Sequence, residues 1–273
     1  MHTGNIKGQI KDAIGRLISA IENGQSEQLQ MWLRAMGRFH RYSIGNQLLV
    51  SLQRPEATRI AGFHTWRKLG RQVRRGERAI RILAPIVRRR QREPKAVRRK
   101  QNRDNGDEEV VAFRNACVFD IAQTDGEDLP EFASVQGDAE SHTVRLRQLR
   151  GIVIEHSNAI GPAQGFSTGG KIVLRENLRP AEEFSVLVHE MGHEILHYGK
   201  DAKSRNKTVR ETEAEAVAFV VCEAVGLETN TAAVDYIQLY DGKKETLMES
   251  LERIQQTASE IIRGIQPDAK AAA

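Results

Sequence analysis

Ile6, Ile10, Ile14, Leu17 and Ile21 recur at three- and four-residue intervals, the spacing of one helical face, and Asn23-Gly24 ends the run. A second stretch carries Leu29, Trp32, Leu33, Met36 and Phe39 on one face. A third starts at Ser43 as N-cap and presents Ile44, Leu48 and Leu52 before Pro55. From Thr58 the pattern shortens, punctuated by Gly62, Gly70 and Gly76, with a brief helix predicted over Thr65–Leu69. Alternation then predicts a strand pair, Ala79–Val87 and Val110–Phe119. Asp125–Gly137 reads as a linker. Beyond it come a helix around Val144, Leu146 and Leu149, strands Gly151–Glu155 and Lys171–Arg175, and a helix from Pro180, suited to a first turn, to about Tyr198. Helices Val209–Val225 and Lys243–Ile262 complete an α+β chain, divided into domains at 1–128 and 138–265.

Charge sharpens this division. Residues 1–103 hold 24 Lys and Arg against 6 Asp and Glu, a net +18, while residues 104–273 hold 17 against 30, a net −13. Such asymmetry points to a polyanion partner for the first half and a different task for the second. The basic insertion at 88–108 is too polar to fold alone, and reads as a surface segment able to touch phosphates. No stretch approaches the roughly twenty apolar residues of a membrane span, so no membrane partner is expected. Two cysteines 105 positions apart argue against a disulfide framework or a Cys-bound zinc. With no secretion pattern, the cytoplasm is the expected compartment.

His189-Glu190-Met191-Gly192-His193 is an HExxH pattern inside a segment that reads as helix. Two His at i and i+4 share a face and can converge on one ion, with Glu190 placed as the base that activates water. Zinc fits imidazole and carboxylate donors, with another divalent metal as the alternative. His197 continues the series, but three residues a turn apart cannot surround one ion. It is expected to be a last-turn residue favoured by the helix dipole. The third ligand is sought in Glu211-Thr212-Glu213-Ala214-Glu215. Glu211 and Glu215 share a face with Ala218 and Cys222, and Glu213 lies about 200° away from Glu211. Glu211 is assigned as ligand and Glu215 as the group that orients a ligating His, the reverse remaining open. This set resembles the gluzincin metallopeptidases and, within them, the ImmA/IrrE group. The resemblance implies peptide hydrolysis, and a substrate held in extended form along the strand before the active-site helix, here Lys171–Arg175.

In the basic half, Trp32, Phe39, Tyr42, Phe63 and Trp66 lie among many cations. Trp32 and Phe39 fit a helical core face. Tyr42, Phe63 and Trp66 are the candidates for base stacking, with Arg67, Lys68, Arg71, Arg74 and Arg75 for phosphates, a mixture suited to single-stranded DNA. Tyr42-Ser43 with Asn46, Gln53-Arg54-Pro55, Gly62-Phe63, Trp66, Leu69–Val73, Gly76-Glu77, Ile82–Pro85 and Val118-Phe119-Asp120 resemble the N-terminal single-stranded-DNA-binding domain of ArdC-type antirestriction proteins. Ala214-Glu215 and Tyr236-Ile237 continue the likeness through the second half. The resemblance implies a DNA-binding antirestriction protein of a mobile element with a metallopeptidase-like domain. The other reading is a zinc protease recruited to DNA that cleaves a repressor or another DNA-bound protein, its protein substrate unknown.

Overall fold

The computed structural model describes residues 3–23, 27–89, 108–127, 139–198, 206–227 and 244–266. The central part of the basic insertion, most of the linker and Tyr236-Ile237 lie outside them. Three helices open the chain: α1 (Thr3–Glu22), α2 (Glu27–Arg38) and α3 (Ile44–Gln53). Most of their periodic apolar positions are buried, among them Ile6, Leu17, Ile21, Leu29, Leu33 and Met36, whereas Leu52 near the end of α3 is 48% exposed. Ser43 stands at the N-cap of α3 in extended conformation, but its hydroxyl makes no capping bond.

Strands β1 (Ile60–Gly62), β3 (Ile80–Arg89) and β4 (Glu108–Asp120) form an antiparallel sheet in the order β1-β4-β3. Helix α4 (Phe63–Lys68) begins two residues earlier than its sequence pattern predicts. The far edge of β3 is satisfied by side-chain amides of α3. Asn46 donates to the Leu83 carbonyl and accepts from its N–H, at 2.8 and 2.9 Å. Gln53 does the same at Arg81, at 2.9 Å in each direction. Backbone groups that would otherwise offer a pairing edge are thereby occupied. A small ribbon pairs β2 (Arg71–Val73) with β5 (Thr124–Gly126), so Asp125 and Gly126 belong to a strand rather than to the expected linker.

The second half contains α5 (Ala139–Arg147), β6 (Val153–His156), β7 (Gly165–Ser167), β8 (Lys171–Leu174), α6 (Pro180–His197), α7 (Lys207–Ala224) and α8 (Lys244–Ile265). Its sheet runs β6-β8-β7, with β8 parallel to β6 and antiparallel to β7. Helices of both halves share the main core: Leu29, Trp32, Leu33 and Met36 of α2 belong to one buried cluster with Val217, Val220 and Val221 of α7 and Leu251 and Ile254 of α8. Gly37 permits this, since a Cβ there would lie 2.8 Å from the Val220 carbonyl oxygen. The carbonyl of His40 also accepts from Ser259 Oγ of α8 at 2.7 Å. The smaller core, with Phe39, Val50, Ile60, Ile80, Ile82 and Val118, sits under the N-terminal sheet.

Candidate metal centre

Helices α6 and α7 meet at small residues. A Cβ on Gly192 would lie 3.4 Å from Ala214 Cα, so the two backbones approach closely and the polar residues one turn away face each other. His189 Nε2 and His193 Nε2 are 3.1 Å apart. Glu211 Oε2 lies 3.6 Å from the first and 3.3 Å from the second. Zinc-class bonds of about 2.0–2.1 Å in tetrahedral geometry separate neighbouring donors by about 3.3 Å. The triangle has the size of one tetrahedral face. Among the described residues, His189, His193 and Glu211 are the group able to hold a metal ion.

The hydrogen bonds behind these atoms orient them. His189 Nδ1 pairs with Glu215 Oε2 at 3.1 Å; a carboxylate only accepts, so the ring N–H is on Nδ1 and the Nε2 lone pair faces the centre. A longer chain fixes His193. Its Nδ1 lies 2.9 Å from His197 Nδ1, and His197 Nε2 lies 3.0 Å from Glu213 Oε2. Glu213 accepts from His197 Nε2–H. In a neutral His197 that leaves Nδ1 as acceptor for His193 Nδ1–H, and the His193 lone pair also turns inward. His197 does stand in the last turn of α6, as expected, but it is buried in a hydrogen-bonded chain: its side chain is 2% exposed and that of Glu213 0%. Neither had a role in the ligand set expected from the sequence. The clue available there was the flank of Glu213, since Ala216–Cys222 is apolar all round and implies a helix buried on every side.

Two facing lone pairs repel when no cation lies between them. In the metal-free chain burial would lower the His189 pKa, but hydrogen bonds to Glu211 and Glu215 overcome this and raise it to about 9. Burial and the His189 charge push His193 down to about 4. Glu211 is drawn down to about 2, first by its bond to His189. A cation at the centre would replace that proton. Glu190 stands beside the triangle, buried, and burial raises its pKa while a side-chain bond to Ser167 opposes the rise.

Strand β7 passes over Glu190: a Cβ on Gly165 would sit 3.2 Å from Glu190 Cγ. Among the described residues β7 pairs only with β8, whereas β8 is bonded on both sides. Lys171–Leu174, expected from the resemblance to hold a substrate, is therefore not an open edge, because β7 is paired to it; the unpaired edge beside Glu190 belongs to Gly165–Ser167. Tyr198 Oη donates to the Ser167 carbonyl at 2.6 Å, and Glu194 accepts from the N–H groups of Gly169 and Gly170 at 2.8 and 2.6 Å. These bonds fasten the β7–β8 turn to the end of α6.

The nucleic-acid candidates divide. Trp66 is 2% exposed and its indole N–H donates to the Phe119 carbonyl at 2.9 Å, so it is a core residue and cannot stack on a base. Tyr42 is half-buried, edge-on to Phe39. Phe63 is 41% exposed. Arg71 holds Thr124 Oγ1 at 2.8 Å and the Thr124 carbonyl at 3.0 Å, and Arg74 is bonded to Glu77 and Asp125. Both clasp the β2–β5 ribbon. Arg67, Lys68 and Arg75 are exposed. Replacing Trp66 by Ala should cost about 3–5 kcal/mol of stability, read as a lower urea midpoint, with no selective loss of single-strand binding in the protein that remains folded.

Two family models match this chain: the N-terminal domain of anti-restriction factor ArdC over residues 7–119, and the IrrE N-terminal-like domain over residues 149–250. The chain is an ArdC-type protein. The second match makes its C-terminal half metallopeptidase-like. The crystal structure of antirestriction ArdC protein from the R388 plasmid, metal-free, superposes with TM-score 0.53 at 19% identity, covering 94% of this chain and 97% of that one. Its Mn(II)-bound form gives 0.53 at 17% identity, covering 96% and 99%. At these identities the likeness is one of fold. An uncharacterized protein of Bacillus anthracis is 28% identical over 305 residues, which cover 95% of this ArdC-type chain and 52% of that protein. The chain thus spans about half the length of that curated relative. Among the described residues no helix is long and apolar enough to cross a membrane.

Proposed function

We propose that this chain is a single-stranded-DNA-binding antirestriction protein of a mobile element, acting in the cytoplasm, whose second half is a zinc-dependent peptidase. The observation that carries the peptidase part is the donor triangle of His189, His193 and Glu211, with each ring's outer nitrogen already bonded and its inner nitrogen turned to the centre. The Mn(II) of the related R388 structure supports a divalent ion of this class. A bound zinc would polarise the scissile carbonyl and lower the pKa of water from about 15.7 toward 7.

The chain's own residues supply the rest. Glu215 holds His189 in its tautomer, and His197 does so for His193. The Glu190 carboxylate takes a proton from the attacking water and delivers it to the leaving amine. Its burial, by raising the pKa, makes it a better base than an exposed carboxylate. Strand β7 offers the substrate an unpaired edge directly over Glu190, where an extended peptide can add as a further strand. The protein substrate is a peptide segment able to lie flat along that edge.

Single-strand binding is supported by the ArdC-like N-terminal match and by the +18 charge of residues 1–103. Metal analysis tests the ligand set. Wild-type protein is expected to hold one ion per chain, and His189→Ala, which removes one corner of the triangle, to hold almost none after dialysis. Equal metal content in the two proteins would overturn the assignment.

A further inference from the structure

With Trp66 in the core, the stacking platform must be sought among rings that are exposed. Ile80 and Ile82 of β3 and Val118 of β4 are buried in the smaller core. Strand alternation then turns Arg81 and its partner Cys117 to the opposite face of the sheet. There, an open groove of about 670 Å³ lies between α1, α3 and the sheet, and Arg16, Arg78, Arg81, Leu52 and Cys117 are among its lining. The one carboxylate in that lining is Asp12, so three cations face one anion. Arg16, Arg78 and Arg81 are all exposed.

The same face continues outward along β4. The register between β3 and β4 is unbroken from Ile80↔Val118 to Ile86↔Ala112. Phe113 therefore shares the face of Cys117, four residues or about 13 Å further on. Phe113 is 51% exposed and lies opposite Pro85. A basic groove thus leads to a bare aromatic ring on one continuous surface.

We propose that this groove is the track of single-stranded DNA, with Arg16, Arg78 and Arg81 holding successive phosphates and Phe113 stacking on a base. The assignment rests on the single-strand reading above and gives that reading a place. A ring exposed on a sheet face can stack only on a base face that is itself unstacked. Duplex DNA hides those faces, so the ring confers preference for single strands, while the arginines would serve either form.

The full chain is used for the test, with labelled oligo(dT) and a hairpin duplex followed by fluorescence anisotropy. Phe113→Ala should weaken oligo(dT) binding by about 5- to 100-fold and leave duplex binding nearly unchanged. Arg16→Gln with Arg78→Gln should weaken both and lower the slope of log K against log salt by about 0.7 for each phosphate of the single strand that is no longer neutralised. A second readout is independent of affinity. Cys117 is exposed and Cys222 buried, so an environment-sensitive thiol dye labels Cys117 selectively, and saturating oligo(dT) should change its emission. If wild type binds oligo(dT) while these variants bind equally well and the dye stays silent, the groove is not the site and the single-strand reading stands. If Phe113→Ala weakens both forms alike, the stacking role is overturned. If wild type does not bind oligo(dT), the underlying reading itself fails.

Discussion

Glu190→Gln is expected to retain its metal and to lose peptide hydrolysis by about 10²–10⁴-fold, the usual contribution of a positioned general base. The substitution keeps size and hydrogen-bonding capacity but removes the proton acceptor. The donors His189, His193 and Glu211 are left in place, each held by contacts that Glu190 does not make. Metal content should therefore equal that of wild type, and activity should fall through kcat rather than KM. An unfolded protein panel and a DNA-bound protein panel, digested in parallel and read by mass spectrometry, provide the measurement. The variant also separates two biological readings. If Glu190→Gln still protects incoming DNA in a restriction assay, the DNA-binding half performs the protection. Loss of protection together with hydrolysis would place the role in proteolysis at DNA. Hydrolysis that survives in Glu190→Gln would remove Glu190 from the mechanism.

His197→Ala should weaken metal affinity about 10- to 100-fold, the usual cost of losing a ligand's outer hydrogen bond, and destabilise the fold by about 3 kcal/mol. The stability loss arises on the far side of the residue. Glu213 is wholly buried, and the substitution takes away the His197 Nε2 partner at 3.0 Å, closer than Arg253 at 3.9 Å. A buried carboxylate that loses its closest partner costs more than a missing pair does. The double variant His197→Ala, Glu213→Ala is accordingly expected to regain part of the stability while its metal affinity stays low. Urea denaturation and competition with a fluorescent chelator measure the two quantities separately, and their different responses in the double-mutant cycle distinguish ligand orientation from general damage. Unchanged affinity in His197→Ala would show that His193 keeps its orientation without help.

Local chemistry determined a large part of this protein. The apolar periods of α1, α2, α6, α7 and α8, and the alternation around Ile80, Ile82 and Val118 of β3 and β4, correspond to buried faces because helix and strand repeats fix which side chains point together. The i, i+4 His pair is likewise a property of a single helix, and the placing of Glu211 and Glu215 on one face of the next follows from the same periodicity. The strands missed in the sequence, β1, β2, β5 and β7, are each three residues long, too short to show alternation. They exist because a neighbouring strand supplies their hydrogen bonds.

What only tertiary structure decided concerns residues whose partners are distant along the chain. Trp66 stands in a turn-rich stretch and reads as available for stacking, yet Phe119, 53 positions away, takes its N–H and the core takes its ring. Arg71 and Arg74 look like free cations until β5 folds back on β2. His197 reads as an end-of-helix residue, which it is, but nothing near it in sequence shows that Glu213, 16 residues on, will be buried against it. Sequence periodicity specifies the faces of single elements. Burial, the identity of a hydrogen-bond partner and the unpaired edge of a sheet are set only when several elements pack, since each depends on which neighbour excludes water from a given atom.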